Sequence, residues 1–351
     1  MADHSIAHLT NRLRLADAAD WLAVATAVSL PWSTSATGIL LVFLLLALIP
    51  TLDWAALRRE LVTPAGGLPV LLVALGVLGM AWADVTLAER WGGVGSFFKL
   101  LVIPLLLVQF RRSDGGLRVL AGYLWSCIAL MLASAIVIAI PPLSASLMHY
   151  DNVLVKNAAT QSGEFATCIA GLLFLGTNAF EQRRLWWLAG MLALALGMLA
   201  NIFFVATGRT ALVVILVLLV LFAAKQLSVR GMAIMFAVAA AVALAGWMSS
   251  SYLRERTRDV FVEIQRYQAT DEPNSSGERI EFARKSISFI REAPVIGHGT
   301  GSIVVGSLFN SHLFDFVQGW TYVLGVGVAG GMALKKRAAE RSAGAAPRLR
   351  L

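Results

Sequence analysis

The sequence predicts an all-α polytopic integral membrane protein with about ten transmembrane helices and a helical loop domain outside the bilayer. Three observations carry this. Hydrophobic residues make up 58% of the 351 positions and charged ones only 14%. The apolar residues fall in runs of about 17–25, the length at which a helix spans a bilayer core. The arginines and lysines collect on one side of an alternating topology. The runs are too long and too evenly apolar for barrel strands, and in lipid only helices or closed barrels satisfy the backbone.

In chain order, spans are expected near 18–34, 36–51, 66–84, 93–110, 117–140, 162–180, 185–205, 210–224, 231–248 and 313–334. Arg12, Arg14, Arg58, Arg59, Arg111, Arg112, Arg118, Arg183, Arg184, Lys225, Arg230 and the tail from Lys335 fall on one side. Arg90, Lys156 and Arg209 are the cations of the short loops opposite. The positive-inside rule then places both termini in the cytoplasm. The expected organisation is 1–248 as nine spans with short loops, 249–311 as a large outer loop, 312–334 as the last span and 335–351 as an inner tail. The final stretch, SAGAAPRLRL, reads as disordered.

The sequence pI near 9.9 follows from these inner loops, so nucleic acid is not an expected partner and the lipid bilayer is. Cys127 and Cys168 lie in separate spans and form no metal or disulfide pattern. MADHSIAHLTNRLRLADAAD lacks the apolar core and cleavage site of a signal peptide, so the first span is expected to direct insertion.

Two outer segments exceed the length of a turn: 141–161 and 249–311. In the first, His149, Tyr150, Asp151 and Lys156 fit a lid or wall. In the second, Leu253, Val260, Phe261, Ile264 and Tyr267 recur at helical spacing, and another amphipathic helix follows the turn at DEPNSSG. Ile280, Phe282, Ala283, Ile287, Phe289 and Ile290 form its apolar face, expected to lie on the membrane domain. Arg279 falls within that face. Near the helix start it either bends to water or, as a buried cation, needs an anionic partner: a carboxylate such as Glu164 or Asp315, or a phosphate, which suits the planar guanidinium fork.

Arg209, in FFVATGRTALVV, stands at the outer mouth of a span, where it either snorkels or meets an anion. Lys99 lies about two turns inside a span, and such charges usually face a cavity or pathway. His298 sits in a Gly-rich turn where Gly297 and Gly299 are expected at positive φ. His312 opens the last span, with Asp315 one turn on; it reads either as an interfacial cap or as an acceptor for a hydroxyl proton. The chain has no D-x-D, H-E-x-x-H, C-x-x-C or Walker pattern, so a metal-dependent nucleotide-sugar transferase and an ATP-driven pump are disfavoured.

Arg279, a helical stretch, P-V-I-G-H-G-T-G-S at 294–302 and then His312 together resemble the O-antigen ligase and O-antigen polymerase superfamily, the ligases most closely. T-G-R-T-A at 207–211 resembles that family's outward arginine motif. The resemblance implies a metal-independent, cofactor-free, inverting glycosyltransferase at the periplasmic face of the bacterial inner membrane. Its donor would be a glycan on undecaprenyl diphosphate and its acceptor a hydroxyl of the lipid A–core oligosaccharide. Arg209 and Arg279, with Lys99 as a further cation, would hold the diphosphate, and His312 would activate the hydroxyl. Asp315, Glu164 and His298 stand as orienting or acceptor-side residues. Members usually carry about twelve helices, with two after the loop where this sequence offers one. The alternatives are a polymerase or protein O-oligosaccharyltransferase using the same donor, and a lipid or glycan transporter.

Overall fold

The computed structural model describes residues 2–140, 153–206, 208–270, 275–294, 297–300 and 315–345. Among these every regular element is a helix. The chain divides into two units, one of Met1–Tyr123 with Phe282–Leu351 and one of Leu124–Glu281.

The first unit opens with α1 (Ala2–Ser29) and α2 (Thr34–Thr51). Ser33 ends the turn between them and caps α2, its Oγ accepting from the Ala36 amide at 3.2 Å. Ala19, Ala23 and Ala27 recur every fourth residue and are buried, a small-residue seam that lets helices approach closely. Next come α3 (Trp54–Leu61) and α4 (Pro64–Gly79), bent 81° from each other. Thr63 caps α4 and Pro64 begins it, while Gly66 and Gly67 pass so close to the carbonyls of Glu60 and Leu61 that a β-carbon would overlap them. Then α5 (Leu87–Gly95), a short 3-10 helix (Phe98–Leu101) and α6 (Val102–Arg112) follow, with a 43° bend after α5. Helix α6 is the core of this unit: Ile103, Leu106, Leu107 and Phe110 are fully buried.

The second unit takes the later part of α7 (Gly116–Ala139), then α8 (Ala158–Glu181), α9 (Leu185–Phe204), α10 (Arg209–Gln226), α11 (Val229–Ser249), α12 (Ser251–Thr270) and the start of α13 (Ser275–Glu292). A tight turn with Arg183 at φ 55° reverses the chain between α8 and α9. Phe174 of α8 meets Phe222 of α10 edge-on at 5.1 Å. The last helix, α14 (Phe316–Ala345), returns to the first unit. Its Gly327, Gly330 and Gly331 press on Leu106, Leu107 and Phe110, where any β-carbon would collide.

The pattern is that of a protein solvated by lipid. On α2, Ile39, Val42, Phe43, Leu46 and Ile49 make one exposed apolar face. Trp186 and Trp187 stand exposed beside Arg183 and Arg184, the aromatic and basic residues of a membrane interface. Among the described residues, five helices (α2, α7, α8, α9 and α11) are long and apolar enough to cross a bilayer, or up to seven spans if each bent pair counts as one. Ten were expected. The difference has physical causes: α1 carries Arg12, Arg14, Asp17 and Asp20, α10 has a short apolar stretch, and α14 opens with polar residues and glycines. Helix α14 also runs to Ala345, into the tail read as disordered, because Ala338, Ala339 and Glu340 favour helix.

Candidate functional site

One end of the second unit gathers polar residues that a membrane helix does not carry without cause. Asn157 caps α8, its Oδ1 accepting from the Thr160 amide at 2.8 Å. The first turns that follow, Thr160, Gln161, Ser162 and Glu164, are all buried. Gln161 Nε2 donates to Asn201 Oδ1 at 3.0 Å, and Asn201 Nδ2 donates to Ser134 Oγ at 3.2 Å, tying α8, α9 and α7 together. Lys156 precedes the cap in a left-handed conformation, φ 62°. Its ammonium lies 3.9 Å from Glu164 Oε1, and both side chains are largely withdrawn from solvent.

Helix α10 starts against this cluster. Gly208 is its cap residue and supplies no side-chain oxygen to the first amides. Gly208 is there for space: a β-carbon would collide with Ser162 Oγ and crowd the Ala159 backbone. Arg209 is therefore the first residue of a helix whose N-terminus is pressed onto the first turns of α8. The N-terminus of α10 carries the positive end of its dipole, an arrangement that attracts anions.

Arg279 lies in the second turn of α13, in the helix expected for it. The same helical hairpin is held by Tyr267, whose ring covers Gly277 and whose hydroxyl pairs with Glu281 Oε2 at 3.2 Å. Of the expected apolar face of α13, Ile287 and Ile290 are 52% and 60% exposed.

The remaining sequence candidates belong to the first unit. Lys99 Nζ donates to the Asp315 backbone carbonyl at 3.3 Å. Asp315 caps α14, with Oδ1 accepting from the Val317 and Gln318 amides at 2.9 and 3.1 Å. The Gly-rich turn has the two positive φ values expected, 64° at Gly297 and 82° at Gly299. It docks on the end of α4, where the Thr300 amide donates to the Gly79 carbonyl at 3.0 Å. Gly299 lies against the Ala83 backbone without room for a β-carbon. At Gly299 both packing and the positive φ call for glycine; at Gly297 only the positive φ does. His298 Nε2 is 3.8 Å from Glu292 Oε2. His312 and residues 141–152 lie outside the described residues. Among the described residues, no three His, Cys, Asp or Glu side chains gather as metal ligands would.

Sequence reasoning missed the buried partnership of Lys156 with Glu164 and the Gln161–Asn201–Ser134 chain. The signal available was the run T-Q-S-G-E at the head of an apolar span, too polar for lipid contact.

Helices that expose apolar faces and bury a polar cluster at one end define a multi-pass all-α membrane protein. A family model described as O-antigen ligase matches residues 194–325. That stretch, somewhat over a third of the chain, is similar to the O-antigen ligase family. The matched stretch contains Arg209, Arg279, the Gly-rich turn and His312; Lys99 and Glu164 lie before it. No curated protein and no solved structure matches the chain.

Proposed function

We propose that the protein is a glycosyltransferase that moves O-antigen glycan from undecaprenyl diphosphate to a hydroxyl of the lipid A–core oligosaccharide, at the periplasmic face of the bacterial inner membrane. The observation carrying this reading is Arg209 at the head of α10, within the matched stretch and beside a buried polar cluster. In the reaction the acceptor oxygen attacks the anomeric carbon, the bond from that carbon to the phosphate oxygen breaks, and the diphosphate leaves on its polyprenyl chain. Single displacement inverts the anomeric centre. Arg209 and Arg279 neutralise charge as it develops on the leaving group, and loss of one such donor costs about 10²–10³-fold in rate. His312 takes the hydroxyl proton, worth about 10²–10⁴-fold. Lys99 is a further cation for the donor, with Asp315, Glu164 and His298 as orienting residues. No metal or cofactor enters the scheme.

The test is transfer by the purified protein from lipid-diphosphate glycan to three acceptors: lipid A–core, a second donor glycan and a pilin-like protein. Product on lipid A–core supports the proposal. Product on the second glycan or on the protein would identify a polymerase or a protein transferase, and movement of the lipid without a new glycosidic bond would identify a transporter. Arg209→Lys and Arg279→Lys are each expected to lose transfer, since an ammonium cannot make the bidentate contact. His312→Ala should depress the chemical step more than donor binding; an equal loss in both would remove the base from the scheme.

A further inference from the structure

At the arginine-rich end of the first unit, the short helix α3 has a composition and placement that the transfer reaction does not explain. Its 81° bend from α4 means that when α4 crosses the bilayer, α3 lies nearly in the plane of the interface. Trp54 is 74% exposed and Val62 84%, with Leu61 also exposed. Between them Arg58 and Arg59 are exposed, and these residues with Ala55 line an open groove. This apolar–cationic–apolar order fits a helix seated at the boundary of headgroups and acyl chains.

The helix is held rigidly. Asp53 caps it, Oδ1 accepting from the Ala55 and Ala56 amides at 3.0 and 3.2 Å. Glu60, on the side away from the groove, is buried and ion-paired to Arg111 of α6. That pairing fixes which side of α3 faces out. It also brings the end of α6 to α3, where Arg112 and Arg59 are close enough to stabilise the Asp53 carboxylate. Lys335 of α14 adds another cation nearby, reaching the Arg112 carbonyl at 3.5 Å and Asp114 at 2.5 Å.

We infer that α3 and its arginines form a binding site for an anionic phospholipid, with Arg58, Arg59 and Arg112 on the headgroup phosphate and Trp54, Leu61 and Val62 among its acyl chains. Charge complementarity selects the occupant. The cations exceed the acidic groups around the groove, so a zwitterionic lipid offers the same phosphate but adds a choline cation that the guanidinium groups repel, whereas an anionic lipid brings net negative charge.

The experiment uses the full chain in neutral detergent, titrated with phosphatidylglycerol, with phosphatidylcholine of the same chains, and with inorganic phosphate. Bound lipid is counted by native mass spectrometry. Saturable binding of phosphatidylglycerol, at least tenfold tighter than phosphatidylcholine, is expected. Two headgroup charges at about fivefold each predict that Arg58→Gln/Arg59→Gln weakens phosphatidylglycerol roughly 30-fold while the melting profile without lipid is kept. Should the double variant fold poorly, Arg58→Gln alone is expected to weaken binding about fivefold by the same reasoning. Trp54→Ala is expected to weaken both lipids. Equal affinity for the two lipids, unchanged binding in the arginine variants, or displacement of the lipid by millimolar phosphate would each overturn the inference.

Discussion

Replacing Gly208 by alanine is the sharpest probe of the second unit's polar end. The backbone there is at φ −87°, which any residue adopts, so alanine brings no conformational strain. Its effect must come through space. The added methyl would sit on the Oγ of the buried Ser162 and about at the limit of contact with the Ala159 backbone, both in the first turns of α8. The helix start must retreat or the site must absorb an overpacking cost of about 1–3 kcal/mol. At about 2–4 °C per kcal/mol, thermal unfolding in detergent should fall by several degrees. Transfer should fall further than stability, because Arg209 is the next residue and a displacement near 1 Å can cost about 10²-fold in rate. Adding Ser162→Ala removes the nearest colliding atom and should recover part of both losses. A Gly208→Ala protein with native melting and native transfer would show that α10 is not seated against α8 as described.

Lys156→Ala would leave Glu164 buried without its ammonium partner, a loss of about 3–5 kcal/mol where a buried pair is broken; adding Glu164→Gln should return part of it, read in the same melting assay. Gly330→Val should cost about 1–3 kcal/mol through overpacking between α14 and α6, and unchanged melting would contradict the contact. The Asp53 carboxyl is held below the usual aspartate range chiefly by the Ala56 amide, against an opposing effect of burial that is next in size, with the Ala55 amide, Arg112 and Arg59 also lowering it. A lowered folded value makes the cap stabilising above the ordinary range and lost as pH falls through the depressed value. The Ala56 amide resonance should therefore titrate below the ordinary aspartate range, and titration within or above it would refute the cap.

The elements most legible in the sequence were those set by local pattern. Helical spacing of Leu253, Val260, Phe261, Ile264 and Tyr267 gave α12, and the glycines flanking His298 gave the two positive φ values. Arg209 was placed at the mouth of a helix, where α10 begins. Breaks were harder to see, because hydropathy averages across them: Thr63-Pro64 with Gly66 and Gly67 turns one expected inner loop and span into a sharp corner. The pairing of Lys156 with Glu164 was hidden because it depends on the chain reversing at Asn157, a tertiary fact. Asp315 was read as an orienting acid for His312, and a local motif, the cap of α14, engages its carboxylate. Wheel geometry placed Ile287 and Ile290 on an apolar face, but it cannot say whether such a face meets protein or surroundings.

The glycine stripe of α14 has a bearing on how the protein is made. Helix α6 emerges from the ribosome early, yet Leu106, Leu107 and Phe110 find their close-fitting neighbour only when Gly327, Gly330 and Gly331 have been translated. All of Leu124–Glu281 is synthesised in the interval. The first unit must wait in the membrane half-assembled, its central helix shielded by lipid or by an insertion factor, until the last helix slots in and completes it.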